Sequence, residues 1–416
     1  MTHRVGRNSA RPSSHGRRGQ GRSFGGQRPH GNSRGNRRSG SKKPRGQYIN
    51  PIKFVKAAQP VEMIAYEARH QFSDFAVCDL IKENLKKKGY EVPSAIQDQA
   101  IPEVLAGRDV IGIANTGTGK TAAFAVPIFN GLVEETITKV LIVAPTRELA
   151  QQIEDECRSI AKGSGLFGAL LIGGTAMSPQ LKDLKANPRV VIGTPGRIKD
   201  HVQRGSLDLS RFSAVVVDEV DRMLDMGFLP DMQFILNELP ATRQSLFFSA
   251  TMDDRVARLI ESFSDDAVTI SVKSSDTSDN VHQDVVLYGS AHEKIEKLHD
   301  LLNQHETEKV IIFDETQRSV ERLGKELIER GFKADAIHGG KTQGQRTRAM
   351  NRFKRNDITV LVATDVAARG IDVADITHVI NYAIPQTYAD YTHRVGRAGR
   401  AGKTGYALTF VSRDSL

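Results

Sequence analysis

Two series of short apolar runs, each run separated from the next by a longer helix-like stretch, constrain this chain more than any other feature. VIGIA (110–114), VLIVA (140–144), ALLI (169–172), VVI (190–192), AVVVD (214–218) and SLFFS (245–249) make the first series. VIIF (310–313), ADAI (334–337), TVLVA (359–363), HVINY (378–382) and YALTF (406–410) make the second. Runs this short and this rich in β-branched residues suit strands buried on both faces, and their alternation with helices predicts parallel α/β sheets. Between the two series SVKSSDTSDN (271–280) is polar and has the composition of a linker. The chain is therefore predicted to hold two tandem α/β domains, residues 61–273 and 282–416, joined by a linker at 274–281.

Charge is divided sharply along the chain. The formal net charge is +9, yet the first acidic residue is Glu62 and residues 1–60 hold fifteen Lys or Arg. Residues 61–416 carry 43 basic against 49 acidic groups, a net of −6, so any binding of nucleic acid by the folded part would have to rest on specific groups and not on its overall field. Residues 1–46 contain no Leu or Ile and only Phe24 among aromatics. Such a segment cannot build a core, and residues 1–60 are predicted to be a disordered Arg/Gly-rich tail and lead-in. It suits sequence-independent RNA binding or ribonucleoprotein partners, or serves solubility alone; a transit peptide would need the amphipathic apolar face it lacks. Cys78 and Cys157 cannot form a framework of bridges, which predicts a reducing, cytoplasmic setting, and both fall on helical patterns as bland, half-buried or core thiols. No apolar run approaches the roughly 18–20 residues that span a bilayer, and a soluble monomer is expected.

In open parallel sheets ligands bind beyond the carboxyl ends of the strands, and the unusual polar clusters of this chain fall there. After VIGIA comes ANTGTGKT (114–121), read as a phosphate-binding loop. Gly117 and Gly119 would let backbone N–H groups face a polyphosphate, Lys120 would reach its terminal phosphates, and Thr121 would ligate Mg²⁺. AVVVD ends in DEVD (218–221), carboxylates at a strand tip whose burial a cation would offset; Asp218 is expected to hold the metal and Glu219 to orient the attacking water. YTHRVGRAGR (391–400) repeats Arg394, Arg397 and Arg400 every third residue, a spacing that on a helix gives one guanidinium face suited to phosphate.

Taken with PTREL (145–149), the doublet Gly173–Gly174, TPGR (194–197), SAT (249–251), IIFDET (311–316), QGQR (343–346) and ATDVAARGID (363–372), these motifs fall in a set order. Over roughly residues 70–412 the chain resembles the DEAD-box RNA helicases, superfamily 2 ATPases with two RecA-like parallel-sheet domains. The resemblance implies an RNA-dependent ATPase that locally unwinds short RNA duplexes or remodels RNA–protein complexes, with ATP as substrate and Mg²⁺ as cofactor. It makes Phe72, 17 residues before Gly89 in GYEVPSAIQ (89–97), an adenine-stacking residue and Gln97 a reader of the base edge. Ala114, Asn115, Thr116, Gly117, Thr118, Gly119, Lys120 and Thr121 would cradle the phosphates. Arg397 and Arg400 would be arginine fingers, Asp372 a ribose contact, and Ser249 and Thr251 coupling residues. Pro145, Thr146, Arg147, Gly174, Thr194 and Arg197 would line the RNA path on the first domain, continued by Arg318 and Thr364 on the second. For His338 it suggests a structural or RNA-proximal role.

Two departures from the pattern stand out. Val220 replaces the family's Ala and adds two methyls beside the carboxylates and near Ser249 and Thr251, although every titrating or ligating member of the motif remains. After TFVSRDSL the family usually adds a closing helix, so either the sequence is cut short or the second domain ends early. An ATP-gated RNA clamp without turnover is the main competing reading, disfavoured by the intact Lys120, Asp218, Glu219, Arg397 and Arg400. A DNA-translocating helicase is disfavoured by the adenine-reading motif and the insertion-free domains.

Overall fold

The computed structural model describes residues 49–58, 66–115, 117–264, 266–272, 280–304, 307–368, 373, 375–399 and 403–415. Thr116, Asp372, Arg400, residues 1–48, 59 and 60 of the predicted tail and lead-in, and most of the predicted linker lie outside them. The first sheet contains β1 (Val110–Ile113), β2 (Val140–Val143), β3 (Gly168–Leu171), β4 (Val190–Gly193), β5 (Ala214–Asp218), β6 (Gln244–Ser249) and β7 (Val268–Ser271). Its order is β3-β4-β2-β5-β6-β1-β7, all parallel. The second contains β8 (Val281–Tyr288), β9 (Val310–Phe313), β10 (Ala334–Ile337), β11 (Val360–Ala363), β12 (His378–Asn381) and β13 (Gly405–Ser412). Its order is β10-β11-β9-β12-β13-β8, again parallel.

Each sheet separates two layers of apolar side chains, as expected when crossover helices cover both faces. In the first domain Ile142, Val216 and Phe248 enter one core and Val143, Val217 and Phe247 the other. In the second, Ile311 and Leu361 pack on one side while Ile312 and Val362 pack on the other. Val220, the departure noted above, is fully buried in the core shared by Val217 and Phe247. Its extra methyls add to packing and do not enter the hydrogen bonds of the carboxylates. No helix among the described residues is long and apolar enough to cross a membrane.

Two strands escape the sequence reading, β7 and β8. Both are edge strands flanking the polar stretch, and the first alternates apolar with polar residues over only four positions. A larger difference concerns residues 49–58, expected to belong to the tail. Pro51–Phe54 forms a 3₁₀ turn and Phe54 is fully buried in the second domain's core with Val281 and Tyr391. Lys56 forms an antiparallel bridge with Gln283 of β8. A single aromatic with an antiparallel backbone pair is enough to dock a segment whose composition otherwise reads as linker. The chain thus visits the second domain before building the first.

Candidate active site

The loop after β1 turns into the helix Lys120–Val133 through Gly117 (φ 84°) and Gly119 (φ 88°). Gly119 is required twice over: its φ is left-handed, and a Cβ there would stand 2.3 Å from Gln97 Nε2. Gln97 Nε2 donates to the Gly119 carbonyl at 3.0 Å, and Ser94 Oγ donates to the Thr118 carbonyl at 2.8 Å. The Ser94 N–H in turn donates to Gln97 Oε1 at 2.8 Å. The Thr118 hydroxyl donates to the Asn115 carbonyl at 2.8 Å. A loop fixed in this way presents backbone N–H groups and the positive end of a helix dipole, which favour an anion. Ala114, where the general pattern has Gly, is buried; its N–H donates to the Ser249 carbonyl and its own carbonyl accepts from Lys120 Nζ at 2.8 Å.

Gln97 therefore braces the phosphate loop in this structure. Phe72 lies in the first core, 3% exposed, with its ring edge-on to Phe75 and Tyr90. It is Tyr90 that reaches the cleft, its hydroxyl donating to Glu156 Oε1 at 3.0 Å. The base-stacking and edge-reading parts expected of Phe72 and Gln97 belong to a nucleotide-bound state; here Gln97 bonds the loop and Phe72 packs against Phe75 and Tyr90.

At the end of β5, Asp218 and Glu219 are both buried. Burial pushes the Asp218 carboxyl up, to about 6; Lys120 opposes this and Glu219 adds to it. Glu219 sits at φ 55°, a left-handed conformation rare for a residue with a Cβ and found where function over-determines the backbone. Both its oxygens accept from Arg222 Nη1, at 3.0 and 2.9 Å, and Arg222 is itself buried. Asp221 faces the other way. Its Oδ2 accepts from Ala250 N, Thr251 N and Thr251 Oγ1 at 3.2, 3.0 and 3.1 Å, and its N–H donates to Ser249 Oγ at 3.3 Å. Asp221 is thus what ties the carboxylate turn to SAT.

A cleft of about 460 Å³ joins these groups. Gly117, Gly119, Lys120, Thr121, Asp218 and Glu219 line it from the first domain, and Lys354 and Arg397 from the second. Thr121 and Asp218 fit an Mg²⁺ ion that takes one or two protein oxygens and completes its shell with phosphate and water. Among the described residues no group of three or more His, Cys, Asp or Glu is placed to hold a metal.

Arg397 is 3% exposed and reaches the cleft, but not along a helix face as the three-residue spacing predicts. The helix Tyr388–Val395 ends before Gly396, and Arg397 lies in the turn beyond. Glycines at 396 and 399 weaken any continuation. Arg394, still on the helix, is turned inward: Nε and Nη2 bind Asp365 at 2.6 and 2.7 Å, and Nη1 donates to Asn381 Oδ1 and the Ala383 carbonyl. It is a structural clamp of the second domain.

The expected RNA residues of the first domain gather at the ends of the adjacent strands β2, β4 and β3. Thr146 caps the helix Arg147–Ile160, its Oγ1 accepting from the Leu149 N–H at 3.2 Å, and Thr194 stands at the cap of Pro195–Gln203. Burial first, then the guanidinium of Arg346 and, beyond Glu148, that of Arg197 bear on Arg147; the positive neighbours hold it below its ordinary value while Glu148 opposes them. Three like charges drawn together in this way suit a phosphate chain. Across the domains Arg346 Nη2 binds Glu148 Oε2 at 2.7 Å, both residues buried, and Gln343 Nε2 lies 3.4 Å from Glu148 Oε1. Lys354 carries no local sequence signal, and although Glu148 and Arg346 fall in PTREL and QGQR, nothing in those motifs shows that they pair with each other. On the second domain Arg318 lies in the first turn of Gln317–Glu329, and the buried Thr364 follows β11, its carbonyl accepting from Ala367 and Ala368. His338 pairs with Glu321 at 3.1 Å. Cys157 is buried and its thiol pushed up by that burial, while Cys78 is half-buried; neither is reactive by position.

Gly174 gives a direct test of the RNA path. It sits at φ 73°, and a Cβ would lie 2.0 Å from Arg147 Nη1. Gly174→Ala is expected to cost about 1–2 kcal/mol in backbone strain and to displace Arg147, weakening RNA binding while ATP binding in the distant loop stays. Fluorescence anisotropy with labelled single-stranded RNA, beside a nucleotide titration, measures both; unaltered RNA affinity in a folded variant would remove the pair from the path.

Residues 94–260 match the family model described as DEAD/DEAH box helicase, and residues 293–402 match the helicase conserved C-terminal domain. The ATP-dependent RNA helicase CshA of Limosilactobacillus reuteri is 41% identical over 347 residues, which span 83% of this chain and 70% of that protein. A CshA of Listeria monocytogenes is 43% identical over 342 residues, 82% of this chain and 66% of that one. Saccharomyces cerevisiae Dbp5 bound to RNA and ADP BeF3 matches with a TM-score of 0.73 at 28% identity, covering 83% of this chain and 90% of that structure. Sequence and fold agree over the same two sheets, and the chain belongs to the DEAD-box helicase family, with its two RecA-like domains and DEVD at the naming motif.

Proposed function

We propose that this chain, an ATP-dependent RNA helicase by family, unwinds short RNA duplexes locally and non-processively, or remodels RNA–protein complexes, through an ATPase site shared between its domains. The observation that carries this reading is Arg397 of the second domain lining the same cleft as Lys120, Asp218 and Glu219 of the first. Backbone N–H groups of the loop and Lys120 bind the phosphates, with Asn115, Thr116 and Thr118 completing the loop. Thr121 and Asp218 would hold Mg²⁺, which supplies charge neutralisation to the nucleotide. Glu219, its carboxylate held by Arg222, orients water for in-line attack, and Arg397 stabilises the charge that develops on the γ-phosphate. Arg400 as a second finger and Asp372 as a ribose contact belong to the same proposal.

Coupling to RNA follows from two connections. Asp221 binds Ser249 and Thr251, so a shift of the carboxylate turn moves SAT. Glu148 beside Arg147 is held by Arg346, so RNA on Pro145, Thr146, Arg147, Gly174, Thr194 and Arg197 favours the same domain closure that brings Arg397 to the nucleotide. Arg318 and Thr364 extend the path, and the basic tail adds sequence-independent affinity or protein partners. The protein works as a monomer in the cytoplasm.

One nucleotide site closing once distorts only the few nucleotides in its grip. At about 1.4 kcal/mol per step, taken from DNA stacking, about ten pairs are held by roughly 13 kcal/mol and about 25 pairs by roughly 34 kcal/mol. Strand release is therefore expected to fall steeply with duplex length at fixed ATP. Rates nearly constant from about 10 to about 30 pairs would mean translocation and overturn this mechanism.

A further inference from the structure

The segment 50–58 lies outside both family-matched regions, yet it packs beneath the turn that carries Arg397. Asn50 Oδ1 accepts from the Ile52 N–H at 3.0 Å and starts the turn Pro51–Phe54. The turn drives Phe54 into the core, 4.7 Å between ring centroids from Tyr391. Tyr391 is 1% exposed and belongs to the helix that leads to Arg397. Val395 and Ala398, on either side of Arg397, lie in the same cluster as Phe54.

A polar connection runs beside the apolar one. The Lys56 N–H donates to the Gln283 carbonyl at 2.9 Å, and the Gln283 N–H donates back to the Lys56 carbonyl at 2.8 Å. The Gln283 side chain then takes the Tyr391 hydroxyl, which donates to Oε1 at 2.8 Å in a buried bond. The Ala58 N–H donates to His282 Nδ1 at 3.2 Å, and Lys53 Nζ lies 5.7 Å from the Tyr388 ring centroid. The strap therefore touches the start of the helix, the middle of the helix and the strand behind it.

We propose that residues 50–58 are a positioning strap for the catalytic arginine: Phe54 and the Lys56–Gln283 bridge hold Tyr391, and through it the turn bearing Arg397, against the second domain. The proposal rests on the finger role of Arg397 and extends it to a segment the catalytic motifs do not include. Phe54 touches no substrate. It acts through Tyr391, Val395 and Ala398, and its loss opens a void into which that turn can relax.

A double-mutant cycle in the full chain tests this. At saturating RNA, and at a temperature where circular dichroism finds every variant folded, Phe54→Ala is expected to lower kcat for ATP hydrolysis by about tenfold to a hundredfold, the scale on which a small misplacement acts. KM for ATP should change by less than roughly twofold, because the phosphate loop lies on the other domain. In an Arg397→Ala background Phe54→Ala should cost nothing further, since what it positions is gone. If Phe54→Ala does not fold, Phe54→Leu carries the same cycle, keeping much of the volume but not the ring against Tyr391. Unchanged kcat in the strap variant, kcat and KM altered together, or a full additional loss in the Arg397→Ala background would each overturn the strap's role. Arg397→Ala retaining turnover would instead overturn the finger assignment on which the strap rests, which separates the two failures.

Discussion

Replacing Arg397 with Ala is expected to lower RNA-stimulated ATP turnover by about 10³-fold or more, the scale on which arginine fingers act, with a far smaller change in nucleotide affinity. The contrast with Arg394, three residues earlier, makes the expectation specific. Arg394 spends its guanidinium on Asp365, Asn381 and the Ala383 carbonyl within its own domain, whereas Arg397 lines the shared cleft. Removing Arg394 strands Asp365 and the buried Asn381 and damages the fold, whereas removing Arg397 would take away the charge proposed to face the γ-phosphate. Steady-state kinetics beside a fluorescent-nucleotide titration separates the two effects. Turnover and affinity falling in parallel would make Arg397 a binding residue.

Glu219→Gln is expected to lower turnover by roughly 10²–10⁴-fold, the usual worth of a positioned proton acceptor, while ATP and RNA still bind. The substitution keeps the shape of the left-handed turn and one oxygen for Arg222, so the loop and the Asp221 bonds to SAT should survive. Glu219→Ala is the poorer experiment, because it would leave the buried Arg222 without its partner, a loss of about 3–5 kcal/mol in buried pairs elsewhere. Single-turnover phosphate release, read with filter binding of RNA in the presence of ATP, measures chemistry and binding apart. Near-normal hydrolysis in Glu219→Gln would remove that carboxylate from the chemistry.

Much of the fold was legible because buried parallel strands leave little freedom: every run from VIGIA to YALTF is a strand at its expected place. The strands β7 and β8 were not, since edge strands flanking a polar stretch carry weak patterns. The phosphate loop and carboxylates were legible for a related reason, as positive-φ glycines and buried acids need particular residues. The bonds of Gln97 to Ser94 and Gly119, and Tyr90 at the cleft, carry no motif signal of their own and are visible only in the geometry. Spacing alone misjudged Arg394, because a three-residue period implies a helix face only while the helix lasts. Glu148 and Arg346, 198 residues apart, meet only when the two domains are folded and joined. The strap at 50–58 was hidden by its neighbours' composition, with Phe54 the one residue that gives it away.

The central claim is that the ATPase site is completed across the domains and that RNA drives its completion. Phosphate release by the intact chain, measured at saturating ATP with single-stranded RNA, with DNA of the same sequence and with neither, tests it most directly. RNA is expected to raise turnover at least about tenfold, the change produced by roughly 1.4 kcal/mol off the barrier, while DNA does so far less. Turnover unaffected by RNA, or nucleotide-dependent RNA binding with almost no phosphate released, would contradict the account.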